Sequence, residues 1–196
     1  MNPLDTALSA TRIVAFLQNL FDNCTDTYLG EQVTVSQHML QGATLAQREG
    51  KPVEVIVGAL LHDIGHVASN AGCFAMDDTW DRRHEDAGAQ LLASHFPQVI
   101  VDCVRYHVDA KRYLCATQPD YFARLSPASV HSLNLQGGPM SAAEAEAFEK
   151  QVNFKTIIQV RYFDEAGKCP DLETPDFAHF APLVQGLVDA HGRAGA

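Results

Sequence analysis

At 196 residues, with 46% hydrophobic and 19% charged, the chain has the apolar content for one packed core and too little charge for global disorder. Its formal charge of −10, from 24 acidic residues against 14 Lys and Arg, argues against nucleic-acid or anionic-membrane binding through overall charge. The longest apolar run, about 55–61, is too short to span a bilayer.

Helical periodicity dominates from the start. Leu8, Ile13, Phe16, Leu17 and Leu20 share one face of a helix predicted over 7–21, and a loop follows over 23–30. A second helix is predicted over 34–49, stopped by Gly50, and a third from Pro52 to about His62. The Gly-, Ala- and Asp-rich stretch 65–80 reads as a loop. Helices over 81–96, ended by Pro97, and over 98–107 come next. Between 109 and 139 short helices are expected, with turns at Ser126-Pro127 and Gly137-Gly138-Pro139. Helices over 142–150 and 154–164 precede a Pro-interrupted stretch after Gly167 and a last helix over 177–191. No segment alternates with period two, and no repeat or linker divides the chain. The expectation is an all-α single domain over 1–196, with a metal-binding core over about 28–165.

The five cysteines, Cys24, Cys73, Cys103, Cys115 and Cys169, are odd in number and form no CxxC. They suggest buried or semi-buried free thiols in a reducing cytoplasm rather than a disulfide framework or zinc knuckle. The start, Met1-Asn2-Pro3-Leu4-Asp5, lacks the basic and apolar regions of a signal peptide, which also points to a cytoplasmic protein.

The chemistry is concentrated in His38, His62-Asp63, His84, His107 and Asp164. Each sits on or at the end of its own predicted helix, so the side chains can converge in a bundle core. Imidazoles with carboxylates suit zinc, iron or manganese. Six protein ligands exceed what one ion needs if it must also bind substrate. Two ions sharing Asp63 resolve this: one with His38, His62 and Asp164, the other with His84 and His107 and open positions. The second set, two histidines and a carboxylate, is the ligand type of non-heme iron oxygenases. His95, His131, His179 and His191 have no comparable setting.

The run Leu60-Leu61-His62-Asp63-Ile64-Gly65-His66 resembles the signature of the HD-domain superfamily, most of whose members are metal-dependent phosphohydrolases. The extra His84 and His107 resemble the subset of mixed-valent diiron oxygenases. Tyr28-Leu29-Gly30-Glu31, the stretch from His107 to Leu114, Leu125-Ser126-Pro127-Ala128-Ser129, Gln136-Gly137-Gly138-Pro139-Met140 and Arg161-Tyr162-Phe163-Asp164-Glu165 narrow the match. Together they resemble the hydroxyphosphonate oxygenases, which use O2 to cleave a carbon–phosphorus bond. The resemblance implies a helical HD bundle with one Fe(II), one Fe(III) and O2 as co-substrate. It implies an organophosphonate substrate held by His66, Lys111, Ser129, Gln136 and Arg161. Tyr28 and Glu31 would belong to a loop that closes the site, with Tyr28 on an iron before substrate arrives and Glu31 near the substrate's cationic nitrogen.

The substrate is expected to be 1-hydroxy-2-(trimethylammonio)ethylphosphonate or its 2-amino analogue, giving phosphate plus glycine betaine or glycine. Phe74, Met76 and Trp80, with Tyr28, offer soft and aromatic surface that favours the trimethylated cation. An HD phosphohydrolase of nucleotides or small phosphate esters, and an inactive HD ligand-binding module, are the alternatives. The oligomeric state is open.

Overall fold

The computed structural model describes residues 10–28, 32–68 and 79–194. Among these, eleven helices follow one another and no strand forms, only one isolated antiparallel bridge between Thr27 and Thr34. The helices are α1 (Ala10–Asn23), α2 (Val35–Arg48), α3 (Val53–Leu61), α4 (Ile64–Ala68), α5 (His84–Leu92) and α6 (Gln98–Thr117). Then come α7 (Pro119–Phe122), α8 (Pro127–Leu135), α9 (Ala142–Phe148), α10 (Phe154–Ala166) and α11 (Phe177–Ala194).

Helix α3 is the hub, because every residue from Val55 to Leu61 is apolar or glycine and buried. An all-apolar helix satisfies its surface only when surrounded. Accordingly α2, α6, α10 and α11 pack around it, α5 lies on α6, and α4 on α5. Gly58 permits the closeness, since a Cβ there would meet Val160 Cγ2 of α10 at 2.8 Å. Helices α1 and α11 pair at one side, with the Phe21 and Phe177 ring centroids 4.8 Å apart. Among the described residues, no helix is long and apolar enough to cross a membrane.

Local chemistry sets the ends. Thr34 caps α2 in a reciprocal box: its hydroxyl accepts from Gln37 N–H at 3.1 Å, and Gln37 Oε1 accepts from Thr34 N–H at 2.8 Å. Gly50, at φ +64°, ends the helix in the left-handed conformation, as the sequence predicts. Helix α6 departs from expectation. It runs a further ten residues beyond His107, because no Gly or Pro interrupts the chain before Pro119. Part of the loop expected over 65–80 is the short helix α4, and α5 starts at His84 rather than at 81. The described cysteines are free, but Cys169 is exposed rather than buried, and Cys73 lies outside the described residues.

Candidate metal centre and anion pocket

Six buried residues, none more than 3% exposed, converge where α2, α3, α5, α6 and α10 meet: His38, His62, Asp63, His84, His107 and Asp164. His62 and Asp63 stand in the turn between α3 and α4, so one backbone segment supplies two of them. His84 opens α5 immediately after Arg83, whose φ of +50° aims the chain from the loop into the helix. A non-glycine residue in that region stores strain that the surrounding packing must hold.

Three imidazoles are pinned through Nδ1 to backbone carbonyls at 2.8 Å: His38 to Gly167 O, His62 to Ala59 O and His107 to Val104 O. A carbonyl only accepts, so Nδ1 carries the proton and the Nε2 lone pair faces inward. His84 Nδ1 lies 3.4 Å from Glu85 Oε2. Gly167 is required by this packing, since a Cβ would meet His38 O at 2.7 Å.

The inward atoms form two clusters. In the first, His38 and His62 Nε2 are 3.0 Å apart. Both face Asp63 Oδ2, at 3.5 and 3.3 Å, and Asp164 Oδ1, at 3.3 and 3.6 Å. In the second, His84 and His107 Nε2 are 3.0 Å apart and each lies 3.1 Å from Asp63 Oδ1. The two oxygens of Asp63 therefore address different clusters.

This donor set fits metal ions. Two ligand atoms about 2.1 Å from one ion, at a right angle, stand about 3.0 Å apart. Asp63 Oδ2 and Asp164 Oδ1 are buried with no hydrogen-bond partner, an arrangement that costs free energy unless a cation takes up the lone pairs. Burial pulls the His62 imidazole down, but Asp63 and Asp164 outweigh it and raise it to about 9. A proton is thus one cation the cluster accepts, and a metal competes for the same lone pair. Burial and the neighbouring His66 push His84 well below the ordinary histidine range, leaving its lone pair available.

Beside the second cluster is a cavity lined by Tyr28, His66, Lys111, Ser129, Gln136 and Arg161, together with Val108 and Ser132. Lys111 stands one helical turn beyond His107 on α6 and donates to Ser132 Oγ at 2.9 Å. Gln136 Oε1 is buried without a hydrogen-bond partner. The His66 ring stacks on His84 at 3.8 Å, and Tyr28 on His38 at 3.9 Å. Burial, with Asp63 and Asp164 next, holds the Tyr28 hydroxyl well above its usual range. All six expected metal-ligand residues share one region with Tyr28, His66, Lys111, Ser129, Gln136 and Arg161, the described residues expected to hold the phosphonate or close the site. Glu31 lies outside the described residues, as do Phe74 and Met76. Trp80 is 60% exposed, with the Arg82 guanidinium 5.5 Å over its ring, and does not line the cavity.

Arg161 proves to be doubly placed. Its Nη1 donates to Asp164 Oδ2, its Nη2 to Glu165 Oε2, and its Nε to Tyr121 Oη at 2.7 Å. Burial pushes Asp164 up, but Arg161 and then His62 hold it well below the ordinary carboxylate range. Tyr121, Ser132, Glu165 and Lys168 join the site without having been singled out in the sequence. The helical spacing of Arg161, Asp164 and Glu165, and of Ser129 and Ser132, was the available signal.

The HD domain model matches residues 35–142. The chain is 63% identical over 185 residues, 94% of each chain, to the [1-hydroxy-2-(trimethylamino)ethyl]phosphonate dioxygenase (glycine-betaine-forming) of Leisingera caerulea. It is 36% identical over 184 residues to the hydroxymethylphosphonate dioxygenase of Gimesia maris, covering 90% of this chain and 88% of that one.

Proposed function

The chain belongs to the HD-domain family, and from that premise we propose that it is a non-heme diiron oxygenase acting on 1-hydroxy-2-(trimethylammonio)ethylphosphonate. The reaction consumes one O2 and yields glycine betaine and phosphate. The C1–H and C–P bonds break, C1 rises from the alcohol to the carboxylate level, and one oxygen atom enters each product. The observation that carries the reading is Asp63, whose two oxygens face two separate histidine pairs beside a cavity lined by Lys111 and Arg161. The 63% identity to a glycine-betaine-forming relative supports this substrate over the amino analogue.

His38, His62, Asp63 and Asp164 would hold one iron, and His84, His107 and Asp63 the other. When bound, a mixed-valent Fe(II)/Fe(III) pair supplies the redox chemistry with O2 and a chelation point for the substrate. The remaining work belongs to the chain. Lys111, Arg161, His66, Ser129 and Gln136 would orient the phosphonate and neutralise its charge, fixing the C1–H bond relative to the second cluster. Tyr28, against His38, would close the cavity from the loop side and exclude water, and Glu31 would attract the trimethylammonium group.

The test is anaerobic reconstitution with iron, then O2 and the hydroxyphosphonate, with phosphate and glycine betaine both measured. Equal amounts of the two, dependent on O2, are expected. Phosphate release without O2 would make the chain a hydrolase instead.

A further inference from the structure

Gln41, on α2, does not line the cavity and has no part in the roles assigned above. It is 2% exposed, so its amide must find partners within the protein. It finds them on the backbone of one residue. Gln41 Nε2 donates to Cys169 O at 2.7 Å, and Gln41 Oε1 accepts from Cys169 N–H at 3.0 Å. A turned-over amide would lose both bonds, so the pairing itself fixes the orientation. The Cys169 side chain is exposed, and the grip is on the main chain alone.

Gln41 follows His38 by three residues on α2, so both face the same segment, 167–169. His38 Nδ1 donates to Gly167 O at 2.8 Å, two residues before Cys169. Gly167 N–H donates to Asp164 O at 3.2 Å, closing α10 just past Asp164. The segment is pressed flat on α2. A Cβ on Gly167 would meet His38 O at 2.7 Å and Gly42 N at 3.3 Å, although its φ of −82° suits any residue. The carbonyl that sets the rotation of the His38 ring is thus held on one side by α10 and on the other by Gln41.

We infer that Gln41 is a positioning residue for the first cluster. By clamping Cys169 it holds Gly167 O against His38 Nδ1, which keeps the His38 Nε2 lone pair aimed at Asp63 and Asp164. A metal-binding imidazole loses affinity when its outer hydrogen bond loosens. An amide suits this task because it offers one donor and one acceptor side by side. Glutamate has no donor for Cys169 O, and leucine has neither group. The second cluster does not involve Gln41. His84 and His107 stand on α5 and α6, and His107 Nδ1 donates to Val104 O within its own helix.

The inference rests on the metal-centre part of the functional reading and not on the substrate, and the experiment separates the two. Fe(II) affinity is measured anaerobically against a buffered chelator in two backgrounds: His84→Ala, which keeps the first cluster, and His38→Ala, which keeps the second. Gln41→Leu and Gln41→Glu are each expected to raise Kd about tenfold in His84→Ala and to leave it unchanged in His38→Ala. Cys169→Ser, which retains the backbone bonds, changes neither. Gly167→Ala lifts the same segment without altering Gln41 and is expected to show the same split, so it decides the matter where the Gln41 variants fail to fold. A merely structural role would lower apoprotein Tm and weaken both backgrounds alike, and that result overturns the inference. So does an unchanged Kd in His84→Ala, or a His84→Ala protein that binds no metal. Phosphate release by wild type without O2 would remove the oxygenase reading and leave this comparison standing.

Discussion

Lys111 carries the pH dependence of the anion pocket. Burial pulls its ammonium down and Arg161 pushes the same way; Asp164 opposes both, Lys168 lowers it further, Glu165 raises it, and the result is about 7. The sign follows directly. A lowered pKa means that the ligand-free protein loses this proton as pH rises through about 7, whereas a bound dianion favours the charged form. Substrate binding above that pH therefore takes up a proton, and KM is expected to rise by up to about tenfold per pH unit. Lys111→Arg should flatten the profile, because a guanidinium stays charged. A wild-type KM constant between about pH 6 and about pH 9 would contradict this. Lys111→Met and Arg161→Met should also differ in kind. The first removes contacts worth roughly 1.5–3 kcal/mol, raising KM about 10- to 100-fold with iron content unchanged. The second leaves Asp164 without its buried counter-charge, a loss of roughly 3–5 kcal/mol, and is expected to lower iron content as well. Elemental analysis after desalting distinguishes them, and equal iron in both variants would confine Arg161 to the phosphonate.

At the scale of elements, the contact of α4 with α5 governs the second cluster. A Cβ on Gly65 would lie 1.9 Å from His84 O and 2.8 Å from Gly88 N, so the two backbones touch. No rotamer change relieves a clash with backbone, and α5 must move, taking His84 with it. Gly65→Ala is expected to cost about 1–3 kcal/mol, roughly 2–12 °C in Tm for a chain of this size. It should retain one iron per chain and lose the other. A Gly65→Ala protein with two irons and full activity would show that α5 tolerates the shift. Helix α6 illustrates the opposite case, in which continuity is the device. Because it does not stop at His107, one rigid face presents both the metal-facing imidazole and the Lys111 ammonium.

For the molecule as a whole, metal bound at this centre would act as a staple. The six candidate ligands come from α2, the end of α3, α5, α6 and α10, whereas α1 and α11 contribute none. A cation bound only by the folded state stabilises it by mass action, about 4 kcal/mol at a thousandfold excess over Kd. Two irons per chain are expected by elemental analysis, and chelation should lower Tm. His84→Ala and His107→Ala should each retain the fold and the first iron while losing turnover. Sustained turnover in either variant would remove the second cluster from the chemistry.

The helical class, the single domain and the residues that converge at the candidate metal centre were legible in the chain itself. Hydrophobic periodicity reports which face of a helix is buried, and histidines and aspartates on successive elements are rare without a reason to converge. The stop at Gly50 was equally legible, because a left-handed residue is a local requirement. Helix α4 and the full length of α6 were not, since a short helix held by packing carries little propensity of its own. Nor could periodicity say which oxygen of Asp63 faces which histidine pair, or that Arg161 is bonded to Asp164 and Tyr121. The bond from Lys168 to Ser129 joins residues 39 positions apart. Such contacts depend on how helix faces meet, and only the packed structure decides which donor reaches which acceptor.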